Sequence, residues 1–135
     1  MGADIHPFLE VKIGGTWHLL GVPMCSRDYF LFGVLSCVRC DEDHAGICDM
    51  PDDIADDEAS EIVIKEYRDW GQDAHSLTIV TCEDIDEMRE MELSHTYSEG
   101  EVRKLDDTYI TEWHSMLKKI EDAGYEAHII CWYDN

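Results

Sequence analysis

The sequence predicts an α+β protein: a small, mainly antiparallel sheet of about four strands, with helices packed on one face. The predicted element order is β-β-α-α-β-α-α-β. Three observations carry this. Asp4–Ile13 alternates with period two, placing Ile5, Leu9, Val11 and Ile13 on one face and Asp4, His6, Phe8, Glu10 and Lys12 on the other. Gly14-Gly15 then joins it to Thr16–Leu20, a two-residue loop typical of a type I′ hairpin. Helical apolar periodicity fills the middle of the chain, and the run Ala127–Tyr133 closes it as a strand.

The elements follow in order. The Gly-Gly loop sets Lys12 opposite Trp17 and Glu10 opposite Leu19, so the polar face of the first strand meets apolar neighbours. Pro7 lacks an amide donor and marks a broken rung or a sheet edge. Cys25–Arg39 is apolar nearly all round and reads as a central helix, with Ser26 or Asp28 as its cap. About residues 40–58 the chain is acidic and irregular, broken by Gly46 and Pro51. Ala59, Val63, Tyr67 and Trp70 recur at helical spacing, and Gly71 ends that helix. Ser76–Val80 suits a strand. Thr81-Cys82-Glu83-Asp84 resembles a capping box opening the next helix. Asp107 caps a longer helix with Tyr109, Trp113, Met116, Leu117 and Ile120 as its stripe, ended by Gly124.

The 135 residues suit one domain, 1–135. Asp plus Glu number 31 against 10 Lys plus Arg, for a formal net charge of -21. Naked nucleic acid is disfavoured as a ligand, because phosphate binding rests on Lys and Arg displacing counterions. Anionic membrane surfaces are disfavoured for the same reason, and no apolar run reaches spanning length. Divalent cations and basic protein surfaces are attracted. Six cysteines and an N-terminus without a signal-peptide pattern lead us to expect a reducing cytosol rather than a disulfide framework.

Two constellations carry possible metal chemistry. Asp4-x-His6 and Asp73-x-His75 each set a carboxylate and an imidazole two residues apart, one pair on a strand and the other just before one. If those strands are neighbours, four ligands converge on a divalent ion such as Zn, Mn or Fe, with Asp134 as a fifth ligand or a histidine orienter. The competing reading is that each histidine hydrogen-bonds locally and tightens a strand end. Cys37, Cys40, His44 and Cys48 have ligand types suited to structural zinc, but the two later gaps are each one residue short of a zinc knuckle. Glu10 and Arg27 are further polar positions, and Arg27 is expected to form an ion pair with Asp28, Asp4 or Glu10. No Walker loop, Gly-x-Ser-x-Gly elbow or zincin helix is present.

Several segments occur together: Met1-Gly2-x-Asp4-Ile5-His6, Arg27-Asp28-Tyr29-x-Leu31-Phe32-x-x-Leu35, Trp70-Gly71-x-Asp73-x-His75-Ser76, Thr81-x-Glu83 and Trp132-Tyr133-Asp134-Asn135. In this order they resemble a family of small phage and prophage proteins of no established function. The chain departs from that pattern at Ala3, where the family has Cys, and between Cys37 and Cys48. The resemblance implies a phage origin, action in the bacterial host cytoplasm, and a shared polar site around Asp4, His6, Asp73 and His75. It implies no reaction.

Two functions follow as expectations. One is a small acidic accessory protein that binds a basic host protein, such as a nucleic-acid-binding or defence protein, through Asp52, Asp53, Asp56 and Asp57. The other is a divalent-metal-dependent hydrolase that uses the Asp/His constellation on a phosphate-containing or similar small substrate.

Overall fold

Strand β1 (Asp4–Ile13) turns at Gly14-Gly15 into β2 (Thr16–Gly21) in a computed structural model that describes residues 2–38, 46–90, 92–95, 101–104 and 108–134. Both glycines have positive φ, 60° and 82°, as a type I′ turn requires. Lys12 pairs with Trp17 and Glu10 with Leu19, the register expected from the loop.

The last strand, β6 (Glu126–Asp134), does not lie at an edge. It inserts between β1 and β3 (His75–Val80), giving the antiparallel order β2-β1-β6-β3. The sheet agrees with the α+β expectation of four strands. A separate hairpin joins β4 (Glu92–His95) to β5 (Glu101–Lys104). The polar sequence there has no alternation that announces it.

Local chemistry sets the helix ends. α1 (Tyr29–Ser36) starts at Asp28, whose carboxylate accepts from the Phe30 and Leu31 amides, and stops where Cys37 turns left-handed at φ 55°. The helix expected over Cys25–Arg39 is therefore trimmed at both ends, and of its two candidate caps Asp28 acts. α2 (Glu61–Trp70) is capped by Ser60 and leads into a 3-10 turn, Gly71–Asp73. α3 (Cys82–Glu90) opens on a reciprocal box: the Thr81 amide donates to Asp84 Oδ2 and the Asp84 amide to Thr81 Oγ1, at 3.0 and 3.2 Å. α4 (Thr108–Asp122) ends ahead of Gly124, φ 93°; its expected cap, Asp107, lies outside the described residues.

β6 explains the layering. Its residues from Ala127 to Tyr133 are all buried, and neighbours along a strand face opposite ways. Ile129, Cys131 and Tyr133 join Leu31, Phe32, Leu35, Ile85, Ile110, Trp113 and Leu117 in the main core. Ile130 and Trp132 join Val63, Ile64, Leu77, Ile54 and Ala59 on the other side. So α1, α3 and α4 cover one face, as expected, while α2 crosses to the opposite face. A central strand that is apolar on both sides needs two covers. The irregular acidic stretch is also pinned from Gly46 onward. Ile47 and Cys48 donate to the Val34 and Leu35 carbonyls, the Ile79 amide donates to Asp49 O, and Ile54 is buried. A Cβ on Gly46 would lie 2.9 Å from Ser36 backbone atoms, so this close approach needs glycine. Among the described residues, no helix is long and apolar enough to cross a membrane.

Candidate functional site

The expected metal residues are divided by the sheet. Asp4 faces Asp134, and His6 faces Trp132, across the β1–β6 ladder. His6 Nε2 lies 3.1 Å from Asp134 Oδ1, and its ring sits 4.5 Å from that of Trp70. These groups are on the α2 side. His75 instead pairs with Tyr133 across β6, and the two rings stack at 6.1 Å. Trp132 and Tyr133 are consecutive, so His6 and His75 lie on opposite faces. Asp73 is exposed on the 3-10 turn, in a shallow depression with Glu66, Asp69 and Trp70. The shared site expected from the two Asp-x-His pairs is therefore not assembled, and the hydrolase reading loses its ligand set. The strands are separated by β6, and a slip in register between His75 and Thr78, with Ser76 at φ 57°, fixes how His75 sits. What is brought together at that sheet end is His6 and Asp134, with Asp4 across the ladder from Asp134.

Arg27 forms the expected ion pair with Asp4: Nε and Nη2 both donate to Oδ1, at 3.0 and 2.8 Å. A hydrogen bond and charge attraction from Asp4 raise the guanidinium pKa further. A Cβ on Gly2 would meet this guanidinium and the Tyr29 hydroxyl, both at the ends of flexible side chains that can shift.

The cysteine constellation is also corrected. Cys37 is disulfide-bonded, so its sulfur is not a thiolate available to zinc. Cys48 is a free thiol in the main core, where burial pushes its pKa up. Cys40 and His44 lie outside the described residues. This disulfide stands against the expectation of a reducing cytosol rather than a disulfide framework, while Cys48, Cys82 and Cys131 are thiols.

A groove opens at the other end of the sheet, between β2 and the N-terminal end of α2. Gly15–Leu19 form one wall and Asp56, Asp57, Ala59, Ser60, Glu61 and Ile62 the other, enclosing about 820 Å³. Its foundation is Glu10. This carboxylate is fully buried, accepting from the Ser60 amide at 3.0 Å and meeting His128 Nε2 at 2.9 Å. Trp17 stacks on His128, with ring centroids 3.7 Å apart. Glu10 thus ties the cap of α2 to the sheet and sets the spacing of the groove walls. The walls carry Asp56, Asp57 and Glu61 and no Lys or Arg. The expected partner-binding residues Asp52, Asp53, Asp56 and Asp57 are all exposed, and Asp56 pairs at 3.5 Å with Arg68. Glu10 and Arg27, both expected as polar sites, belong to separate places.

A third cluster was not expected from sequence. Cys82, Asp86 and His114 each present a potential ligand atom, all within 4.8 Å of one another, so the set could hold a metal ion. His114 Nε2 lies 2.8 Å from Asp86 Oδ1. Burial, then Glu121 and Asp86, push the Cys82 thiol pKa up. The available signal was the i, i+4 spacing of Cys82 and Asp86 on a predicted helix; the packing of His114 from α4 against α3 has no sequence signature.

Compared with models of protein families, with curated proteins and with solved structures, the chain matches none.

Proposed function

We propose that this chain is an acidic binding protein whose groove between β2 and α2 receives a basic segment of another protein. The groove walls carry the reading: three carboxylates, Asp56, Asp57 and Glu61, and no Lys or Arg among the lining residues. The net charge of -21 adds long-range attraction and speeds encounter with basic surfaces. Asp52 and Asp53, exposed shortly before the groove residues in the chain, add to the negative surface. The resemblance to small phage proteins suggests that the partner is a bacterial host protein, and a nucleic-acid-binding or defence protein has the required basic surface.

The test is fluorescence anisotropy with a labelled Arg/Lys-rich peptide, repeated with basic proteins recovered from bacterial lysate. Binding should weaken as salt rises. It should fall about tenfold or more when Asp52, Asp53, Asp56 and Asp57 are all changed to Asn. Unchanged affinity in that variant would overturn the reading.

A further inference from the structure

The strongest unassigned feature is the Cys82–Asp86–His114 cluster, on the sheet face opposite the groove. Three contacts set its frame. Arg89 Nη2 donates to Thr111 Oγ1 at 3.1 Å, Asp86 meets His114 at 2.8 Å, and Cys82 is close enough to Lys118 to feel its charge. Position numbers fall on α3 as they rise on α4, so the two helices run antiparallel with a fixed register. The Thr81–Asp84 box anchors Cys82 at the first position of α3, and Asp86 follows one turn later on the same side.

We propose that Cys82 Sγ, an Asp86 carboxylate oxygen and a His114 ring nitrogen bind one zinc ion that bridges α3 and α4, with water at the fourth position. A tetrahedral zinc site has bonds of about 2.0–2.3 Å, which places its ligand atoms about 3.3–3.8 Å apart. The three atoms here all lie within 4.8 Å, and small side-chain rotations that open the 2.8 Å Asp86–His114 contact as the ion enters form the set. One sulfur, one nitrogen and one oxygen select zinc over magnesium or calcium, which take oxygen ligands. As sulfur coordinates, the Cys82 thiol proton passes to water. Cys82 is buried while the Asp86 side chain is 64% exposed, so the site has a dry interior side and a solvent side from which the ion enters.

The bland alternative is a His–Asp ion pair beside an inert thiol, and metal titration separates the two. Untagged full-length protein is titrated with Co(II) and then with Zn(II) in competition with a chromophoric chelator. One ion per chain should bind, and Co(II) should give a thiolate charge-transfer band. Cys82→Ser should abolish the band, His114→Ala should weaken zinc binding at least tenfold, and Cys25→Ser should change neither. Circular dichroism monitors folding of each variant; His114 is partly exposed, so His114→Ala keeps the test decisive should Cys82→Ser unfold. Absence of stoichiometric binding, or a band lost in Cys25→Ser but kept in Cys82→Ser, would overturn the proposal.

Discussion

Glu10 and His128 face each other from β1 and β6, with 2.9 Å between Oε1 and Nε2 and both side chains buried. The second Glu10 oxygen takes the Ser60 amide, so one carboxylate joins two strands and the start of α2. Glu10→Ala leaves an imidazole nitrogen and an amide without their acceptor in a dry interior. It should cost about 3 kcal/mol or more, read by urea denaturation with an unchanged slope. Glu10→Gln keeps the volume and one acceptor oxygen, and should cost less than half as much. A loss under about 1 kcal/mol for Glu10→Ala would show that the pair does not hold α2 in place.

Arg27 and Asp4 make the opposite case. Their side chains are 48% and 56% exposed, so water and salt screen the attraction despite the good geometry. Arg27→Ala should cost less than about 1 kcal/mol. A larger loss, in the same denaturation assay, would show that the Gly2–Tyr29 packing depends on the guanidinium.

Ser36 lies at the centre of a buried hydroxyl chain, 2.6 Å from Thr78 Oγ1 and 2.7 Å from Tyr133 Oη. Thr78 spends its only hydroxyl proton on the Ser76 carbonyl. Ser36 must therefore donate to Thr78, and Tyr133 to Ser36. Ser36→Ala strands the Tyr133 proton and should cost about 2–3 kcal/mol, whereas Tyr133→Phe leaves the rest of the chain satisfied and should cost less. Equal losses in the two variants would contradict this proton order.

Alkaline pH should destabilise the fold. Burial pushes the Cys48 and Cys131 thiols above their ordinary 9.0 and Tyr133 well above 10.0. The unfolded chain releases these protons at the ordinary values while the folded chain still holds them, so stability falls as pH rises. It is fully present below pH 9.0, begins to fall there, and falls more steeply beyond 10.0. Each group adds about 1.4 kcal/mol per pH unit between its two values. Thermal melts from about pH 8 to about pH 11 should show this decline, with a shallower slope in Cys48→Ala. A flat profile would mean that these groups titrate freely in the folded state.

Local patterns carried far in this chain. The period-two strand, the Gly14-Gly15 turn with its register, the Asp28 and Thr81–Asp84 caps and the Gly71 and Gly124 stops are each decided by a few adjacent residues, and they stand where the pattern puts them. The apolar run of β6 was legible as a strand, but the second cover it needs, α2 on the opposite face, was not. The two Asp-x-His pairs failed as a site because two-residue spacing only places side chains on one face of their own strand. It says nothing about which strands adjoin.

What the sequence determined by itself was local structure, strand, turn and cap, together with a formal net charge of -21. Tertiary structure decided the rest. Inserting β6 between β1 and β3 put His6 and His75 on opposite faces, drew Glu10 against His128, and packed α4 so that His114 met Asp86. Those meetings depend on which apolar faces bury each other, and that is settled across separations of 28 to 118 residues rather than within any one stretch.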